Sequence, residues 1–172
     1  NSNNSISKAV KILCDGGLVA FPTETVYGLG ADAMNSRAAE RIFQVKKRPR
    51  NHPLIVHVSS IYLAKKIVIN WPKKADDFAN KFWPGPMTLV FKKNNILPEC
   101  VTAGYDTVAV RIPSNITAQT LLKEFAHSGS GYVAAPSANI YGSLSNTSYS
   151  DVRAAIGKNL TTSDLILEGN GC

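Results

Sequence analysis

Apolar and polar positions along this chain follow two spacings, one typical of helices and one typical of strands. Apolar residues at 6, 9, 10 and 13 share one helical face and predict a first helix, which Gly16-Gly17 ends. Similar segments recur, with short apolar runs between them. The pattern predicts helices over about 6–15, 36–48, 61–68, 72–82, 117–125 and 151–156, and strands over about 18–21, 54–58, 87–91, 108–112, 132–135 and 165–167.

Two of the predicted helices have defined ends and inner faces. Asn35 or Ser36 caps the second helix and Pro49 ends it, which places Lys46 at the end of its buried face. That inner face consists of Ala39, Ile42 and Phe43. The fourth helix begins at Pro72, a good first-turn residue. Its expected buried side chains are Ala75, Phe78, Ala79 and Phe82.

The order of helices and strands predicts a single α/β domain over residues 1–172, with a mixed sheet flanked by helices. Neither an internal repeat nor a low-complexity linker divides the chain. The last apolar run, 165–167, lies five residues before the end of the sequence. A domain rarely ends on such a run, so we expect this domain to be incomplete at its C-terminus.

The charge balance favours an anionic partner. The 172 residues carry a formal net charge of +7, which suits a nucleotide or a nucleic acid, although a merely basic surface fits equally well. No run approaches the roughly 18 apolar residues of a membrane span. Three widely separated cysteines, without zinc-type Cys/His spacing, indicate free thiols in a reducing, cytoplasmic compartment and no protein-held metal.

Two pairs of polar residues are candidates for binding phosphate. Lys46 and Arg48 would supply a point charge and a planar bidentate fork, whereas the alternative is that they only complement the helix dipole. Ser137 and Asn139 follow a predicted strand and would hydrogen-bond sugar or phosphate. For them the alternative is a turn that caps its own backbone.

A third set of candidates lies at or near other predicted strands. Thr23 and Thr25 flank Glu24 at a strand exit, so both hydroxyls are expected on one side; taken alone, this segment favours the alternative of a turn with solvated threonines. His57 and Arg111 lie within apolar strands. A buried arginine requires a carboxylate or an anionic ligand, because desolvating it alone costs too much. The candidate carboxylates within the chain are Asp106 and Glu24.

Six ordered motifs resemble those of the YrdC/Sua5 family, the threonylcarbamoyl-AMP synthases. They are Phe-Pro-Thr-Glu-Thr-Val-Tyr-Gly-Leu-Gly at 21–30, Lys-Lys-Arg-Pro at 46–49, Pro-Leu-Ile-Val-His-Val at 53–58, Trp-Pro-Gly-Pro-Met-Thr-Leu-Val at 83–90, Val-Arg-Ile-Pro at 110–113 and Ser-Ala-Asn at 137–139. The resemblance covers about residues 6–170. It implies a single domain with a twisted mixed sheet and a basic concave cavity.

The resemblance also implies a reaction. Family members convert L-threonine, bicarbonate or CO2, and ATP to threonylcarbamoyl-AMP and pyrophosphate. A partner complex then transfers the threonylcarbamoyl group to adenosine 37 of tRNA, forming the t6A modification. Mg²⁺ is expected to accompany ATP and to rest mainly on its phosphates, since the chain has no obvious carboxylate cluster. This chain stops before the family's final Ser-Thr-x-x-Asp motif.

Site residues are carried over from the resemblance position by position. The residues expected to bind ATP are Lys46, Arg48, His52, Thr107, Ser137, Asn139 and Thr147. Those expected to bind L-threonine are Thr25, His57 and Arg111. Lys46 and Arg48 are also the expected catalytic residues, acting by positioning and charge neutralisation. His52 stands where family members often carry Asn.

Two other functions fit parts of this pattern. The basic cavity would also suit double-stranded RNA or tRNA, as a binding module without catalysis, and such binding would weaken steeply with salt. The related carbamoyltransferase domain of hydrogenase maturation is the second alternative. His57 together with Arg111 favours the threonine-dependent enzyme over that domain.

Overall fold

A computed structural model describes residues 2–169 and 172, with side chains from residue 4 onward. The helices are α1 (Ser2–Cys14), α2 (Ser36–Lys46), α3 (Ile61–Lys66), α4 (Lys73–Phe82), α5 (Glu99–Thr102), α6 (Ile116–Ser128) and α7 (Tyr149–Ile156), followed by a 3-10 turn at Gly157–Asn159. The strands are β1 (Val19–Pro22), β2 (Tyr27–Asp32), β3 (Ile55–His57), β4 (Leu89–Lys92), β5 (Thr107–Arg111), β6 (Val133–Ala134) and β7 (Leu165–Ile166).

The strands form one sheet in the order β4-β5-β3-β6-β2-β1-β7. The β1–β7 and β3–β5 pairs are parallel, and the other neighbours are antiparallel. The prediction of a mixed sheet in a single α/β domain is therefore confirmed. No helix in the described part of the chain is both long enough and apolar enough to cross a membrane.

The helices α1 and α6 cover only part of one face of the sheet. On one face, α1 and α6 pack against Val19, Phe21 and Val133. Residues paired across neighbouring strands share a face, so His57, which pairs with Val133 and with Arg111, belongs to the same face. Further along β5, Thr107 and Ala109 alternate with buried valines and are only half-buried. We call the surface formed by Thr107, Ala109 and Arg111 on this side of β5 the open face. Thr107 and Arg111 are both predicted site residues.

The strand β2 escaped prediction, because its Tyr-Gly-Leu-Gly sequence contains two glycines, which usually weaken a strand. The contacts at Gly30 explain why glycine stands there. A Cβ atom at this position would lie 2.7 Å from a Val133 methyl carbon and 2.8 Å from the Phe21 ring. Gly30 thus lets the Phe21 ring lie across β2.

The predicted buried face of α4 was partly wrong. Ala75 and Ala79 are buried, but Phe78 and Phe82 remain 48% and 38% exposed and stack on each other with a centroid distance of 6.2 Å. Their positions lie to one side of the alanine stripe, so the two rings contact each other instead of the core. The short helix α5 also escaped prediction.

Candidate active site

The C-terminal end of α2 places two basic residues side by side. Lys47 follows the helix in the left-handed conformation, with φ of 53°. Its N–H donates to the Gln44 carbonyl, and the Arg48 N–H donates 2.9 Å to the Phe43 carbonyl. This is a Schellman-type helix end, which turns the chain sharply. Asn35 caps the other end of the helix, as one of the two predicted caps.

Lys46 is directed into the protein, where it holds the turn after β6. Its side chain is only 1% exposed. Its Nζ donates 2.5 Å to the Ser137 carbonyl and also donates to the Asn139 carbonyl. Burial and the nearby Arg48 charge lower the pKa of Lys46 to about 8. At pH 7 the ammonium form therefore still predominates, and it ties α2 to this turn.

Arg48 lies nearer the surface and braces the loop that follows it. Its Nε and Nη2 atoms donate to the carbonyls of His52, at 3.3 Å, and Pro53, at 3.1 Å. Its guanidinium carbon lies 5.8 Å from the centre of the Tyr141 ring. The Tyr141 hydroxyl in turn lies 3.4 Å from Nε2 of His52. The sequence interpretation missed Tyr141, which lies in a loop with no periodic pattern.

The turn containing Ser137 and Asn139 is packed against the start of β2. Ser137 forms an isolated antiparallel bridge with Gly28, and the Ala138 N–H donates 2.7 Å to the Tyr27 carbonyl. The Asn139 amide nitrogen donates to the carbonyls of Ile140 and Ser143. The Oδ1 atom of Asn139 is buried without a hydrogen-bond partner among the described residues. Both predicted residues therefore lie beside Lys46.

Thr147 lies in the next loop, which covers the same turn. The neighbouring Asn146 donates 2.6 Å to the Ala138 carbonyl and accepts, through its own carbonyl, from the Tyr27 N–H. Thr147 is exposed, and its carbonyl accepts from the Cys172 N–H at 3.2 Å. The loop thus brings a hydroxyl-bearing residue close to Ser137 and Asn139.

Arg111 forms the centre of a second group of polar residues. Its Nη2 donates 2.7 Å to Oε1 of Glu24 and lies 3.4 Å from Oγ1 of Thr25. Its Nε donates 3.3 Å to the Gly85 carbonyl, which belongs to the Trp-Pro-Gly-Pro turn. Of the two carboxylates proposed as its partner, Glu24 is the one that pairs with Arg111.

The turn between β1 and β2 presents Glu24 and Thr25 to Arg111. The hydroxyls of Thr23 and Thr25 lie 3.1 Å apart, which confirms that they face the same side. The Thr23 hydroxyl also donates 2.7 Å to the Val26 carbonyl and closes the turn. The second oxygen of Glu24 accepts from the Ser114 N–H at 3.2 Å. Both oxygens of this carboxylate are therefore fixed.

His57 is the cross-strand neighbour of Arg111 and is 4% exposed. Its ring meets the Phe21 ring edge-to-face with a centroid distance of 6.0 Å, and its Nδ1 has no hydrogen-bond partner among the described residues. Burial, aided by the Arg111 charge, lowers the pKa of His57 to about 4. The imidazole is therefore neutral at physiological pH and adds no charge beside Arg111.

Thr107 lies on the same face of β5 as Arg111, but four residues away along the strand. At about 3.3 Å per residue, their Cα atoms are roughly 13 Å apart. Thr107 pairs with Lys92 on β4. A ligand in contact with both Thr107 and Arg111 would therefore extend along the open face.

The two groups of polar residues are linked through backbone pairing. The turn at Glu24 and Thr25 precedes β2, and the first residues of β2 pair with the turn at Ser137. The first group is basic and consists of Lys46, Arg48 and the turn at Ser137. The second group is centred on Arg111, which binds the Glu24 carboxylate. In the part of the chain that the structure describes, no three His, Cys, Asp or Glu side chains group to hold a metal ion.

Comparison with known proteins places the chain among sequence relatives. The model for the Sua5/YciO/YrdC family, described as "Telomere recombination", matches residues 11–172. The chain is 46% identical over 140 residues to a threonylcarbamoyl-AMP synthase of Pyrococcus abyssi, covering 81% of this chain and 40% of that protein. It is 44% identical over 144 residues to the Bacillus subtilis protein of the same name, covering 83% and 40% respectively.

A solved structure is similar over almost the whole chain. The crystal structure of P. abyssi Sua5 complexed with L-threonine has a TM-score of 0.90 and 39% sequence identity, covering 99% of this chain and 48% of that one. The chain spans about two fifths of the length of each of the two curated relatives described above, those of P. abyssi and B. subtilis.

Proposed function

The chain belongs to the Sua5/YciO/YrdC family, and we propose that it forms threonylcarbamoyl-AMP and pyrophosphate from L-threonine, bicarbonate or CO2, and ATP. The observation that carries this proposal is the Arg111 group. Thr25 and the neutral His57 lie next to Arg111. The chain is 39% identical in sequence to P. abyssi Sua5, whose structure was solved in complex with L-threonine.

The proposed reaction requires no nucleophile from the protein. The neutral threonine amine adds to CO2 and releases a proton to solvent, which gives a carbamate, and a carbamate oxygen then displaces pyrophosphate from the α-phosphorus of ATP. Catalysis then depends on bringing the reactants together and neutralising phosphate charge. Arg111 would hold the threonine carboxylate, and the basic group at Lys46 and Arg48 would face the phosphates.

The contacts of Lys46 suggest how the two basic residues divide this work. Lys46 already donates to two backbone carbonyls, so it would shape the Ser137 turn and supply charge from beneath it. Arg48, which is half-buried, is better placed to offer its guanidinium to a phosphate. Direct phosphate contact by either residue stays a prediction, as do the nucleotide contacts of His52, Thr107 and Thr147.

Mg²⁺ is proposed to enter with ATP. The described residues offer no carboxylate cluster, so the ion would be held mainly by the phosphates, whose charge it would offset. Ser137 and Asn139 carry uncharged side-chain oxygens in the turn held by Lys46, and the buried Oδ1 of Asn139 has no partner among the described residues. The protein's contribution would therefore be to orient the nucleotide.

The remaining steps are also proposals. The product would pass to a threonylcarbamoyl-transfer complex that modifies adenosine 37 of tRNA, and we propose a cytoplasmic location for the reaction, where ATP and tRNA are present. Direct RNA binding by this chain is the alternative function. Pyrophosphate release from ATP separates the synthase from an RNA-binding module.

Pyrophosphate release from ATP tests the proposed synthase. The chain should release pyrophosphate only when L-threonine and bicarbonate are both present, and Arg48→Ala should lower the rate by at least about tenfold, as expected for the loss of a charged hydrogen bond. The matched control is Arg50→Ala, which removes an exposed arginine that pairs with Glu40. Release without threonine would contradict the proposal. Salt-sensitive RNA binding without any release would instead favour the binding module.

A further inference from the structure

We propose that Glu24 determines substrate specificity by pairing with the α-ammonium group of the bound amino acid while Arg111 receives its α-carboxylate. The residues carried over from the sequence motifs do not include this carboxylate as a substrate contact. The inference rests on the proposed function, because it takes an amino acid as the substrate. It is carried by the hydrogen bonds that Arg111 and Glu24 have left unused.

Arg111 has two of its three guanidinium nitrogens committed to the protein, and the third is available to a ligand. A guanidinium group has five N–H donors. The Nε donor contacts Gly85, and Nη2 contacts Glu24 and Thr25. Nη1 has no hydrogen-bond partner among the described residues, and the side chain keeps 11% of its surface exposed. Two donors therefore remain for a ligand carboxylate.

Glu24 retains acceptor capacity in the same way. An ionised carboxylate offers about four lone-pair sites. Oε1 accepts from Arg111 and Oε2 accepts from the Ser114 N–H, which leaves about half of these sites unused. The Glu24 side chain is 18% exposed. A single cationic group of a ligand would complete the hydrogen bonding of this carboxylate.

The charge of this group matches a zwitterion. Arg111 contributes one positive charge and Glu24 one negative charge, and His57 is neutral. An arginine facing only neutral groups would attract any anion, whereas this pair has no net charge to attract one. The two charged groups of an amino acid are attached to the same carbon atom, so their partners must be adjacent. Glu24 and Arg111, 2.7 Å apart, meet that requirement.

A purely structural role for Glu24 makes a different prediction. If Glu24 only held Arg111 in place, its loss would weaken the binding of every ligand that carries a carboxylate, with or without an amine. If Glu24 contacts the ammonium group, its loss weakens only ligands that have an amine. Comparing two ligands that differ in this group alone separates the roles.

The experiment measures the binding of L-threonine and of (R)-3-hydroxybutanoate, which keeps the carboxylate and the hydroxyl but lacks the amine. Isothermal titration calorimetry with the wild-type chain should show about 10- to 100-fold tighter binding of L-threonine, as expected for a charged hydrogen bond. Glu24→Gln should weaken the binding of L-threonine by a similar factor. The same substitution should leave the affinity for (R)-3-hydroxybutanoate unchanged or make it tighter. The matched control is Glu124→Gln, at an exposed position on α6.

Three outcomes would overturn the proposal. Equal weakening of both ligands by Glu24→Gln would make Glu24 a residue that only positions Arg111. An unchanged affinity for L-threonine in that variant would remove Glu24 from recognition. Equal binding of the two ligands by the wild-type chain would reject the idea even if Glu24→Gln failed to fold. Threonine-dependent pyrophosphate release that persists alongside any of these results would leave the proposed function standing.

Discussion

Acidification should destabilise this protein through the buried imidazole of His57. In the folded state this side chain is 4% exposed, lies beside Arg111 and has its pKa lowered to about 4. In the unfolded chain a histidine titrates near pH 6.5. Between these two values the unfolded chain binds a proton that the folded protein does not bind. The free energy of unfolding must therefore fall as the pH is lowered through this range.

The magnitude follows from the gap between the two pKa values. A difference between 6.5 and about 4 corresponds to about 3 kcal/mol once the pH is below both values. At pH 5 the same relation gives a loss of about 2 kcal/mol, and above pH 7 it gives almost none. This contribution is thus fully present at neutral pH, and most of its loss occurs between about pH 6.5 and pH 4.

Urea unfolding at pH 7.5 and pH 5.0 measures this loss. Wild-type protein should lose about 2 kcal/mol more stability than His57→Gln between the two pH values, because glutamine does not titrate. The readout is the difference between pH values, whatever the substitution costs at pH 7.5. The control His127→Gln removes an exposed histidine of α6 and should behave as the wild type.

Equal losses in the wild type and in His57→Gln would show that His57 does not cause the acid destabilisation. Acid also protonates carboxylates, but these are present in all three proteins and cancel in the comparison. An equal loss would mean that the folded protein binds the His57 proton as readily as the unfolded chain does. Burial and the Arg111 charge would then not control this imidazole.

Two further predictions concern buried charges and use the same urea assay, at pH 7.5 for Lys46 and at both pH 7.5 and pH 3 for Asp164. Lys46→Met should lower the free energy of unfolding by about 2–5 kcal/mol, because two buried carbonyls lose their donor; a wild-type midpoint would show that the lysine contacts do not support the fold. Burial would raise the pKa of Asp164, but hydrogen bonds from Arg41, Thr161 and Leu18 outweigh it and lower that pKa. Asp164→Asn should therefore lower the free energy of unfolding by about 3 kcal/mol at neutral pH and by less at pH 3. A loss of stability that is the same at both pH values would contradict an ionised Asp164.

Local sequence signals predicted much of the secondary structure. The first helix, the cap at Asn35 and the strands around Val56 and Val110 could be predicted because their apolar spacing and end residues act over a few positions. The strand β2 could not, because its glycines are favourable only through the packing of Phe21 across Gly30. That contact joins residues from different strands and leaves no periodic signal.

The candidate site shows the same division. Lys46, Ser137 and Asn139 could be grouped beforehand by their motifs, and the structure brings them together. The direction of the Lys46 side chain, inward onto two carbonyls, could not be predicted, because helical position alone does not show what lies above the helix end. The exposed Phe78 and Phe82 pair was mispredicted because apolar side chains do not reveal which of them has a partner to pack against.

Residue types and local spacing were sufficient to predict the order of most elements, the family and most of the candidate site residues. Which charges pair, in contrast, depends on how the chain folds. Arg111 had two candidate carboxylates, and the turn before β2 brings Glu24, 87 positions away, within 2.7 Å of it. The physical reason is that charge pairing and burial depend on distance in space, which the chain sets only after its strands have joined into one sheet.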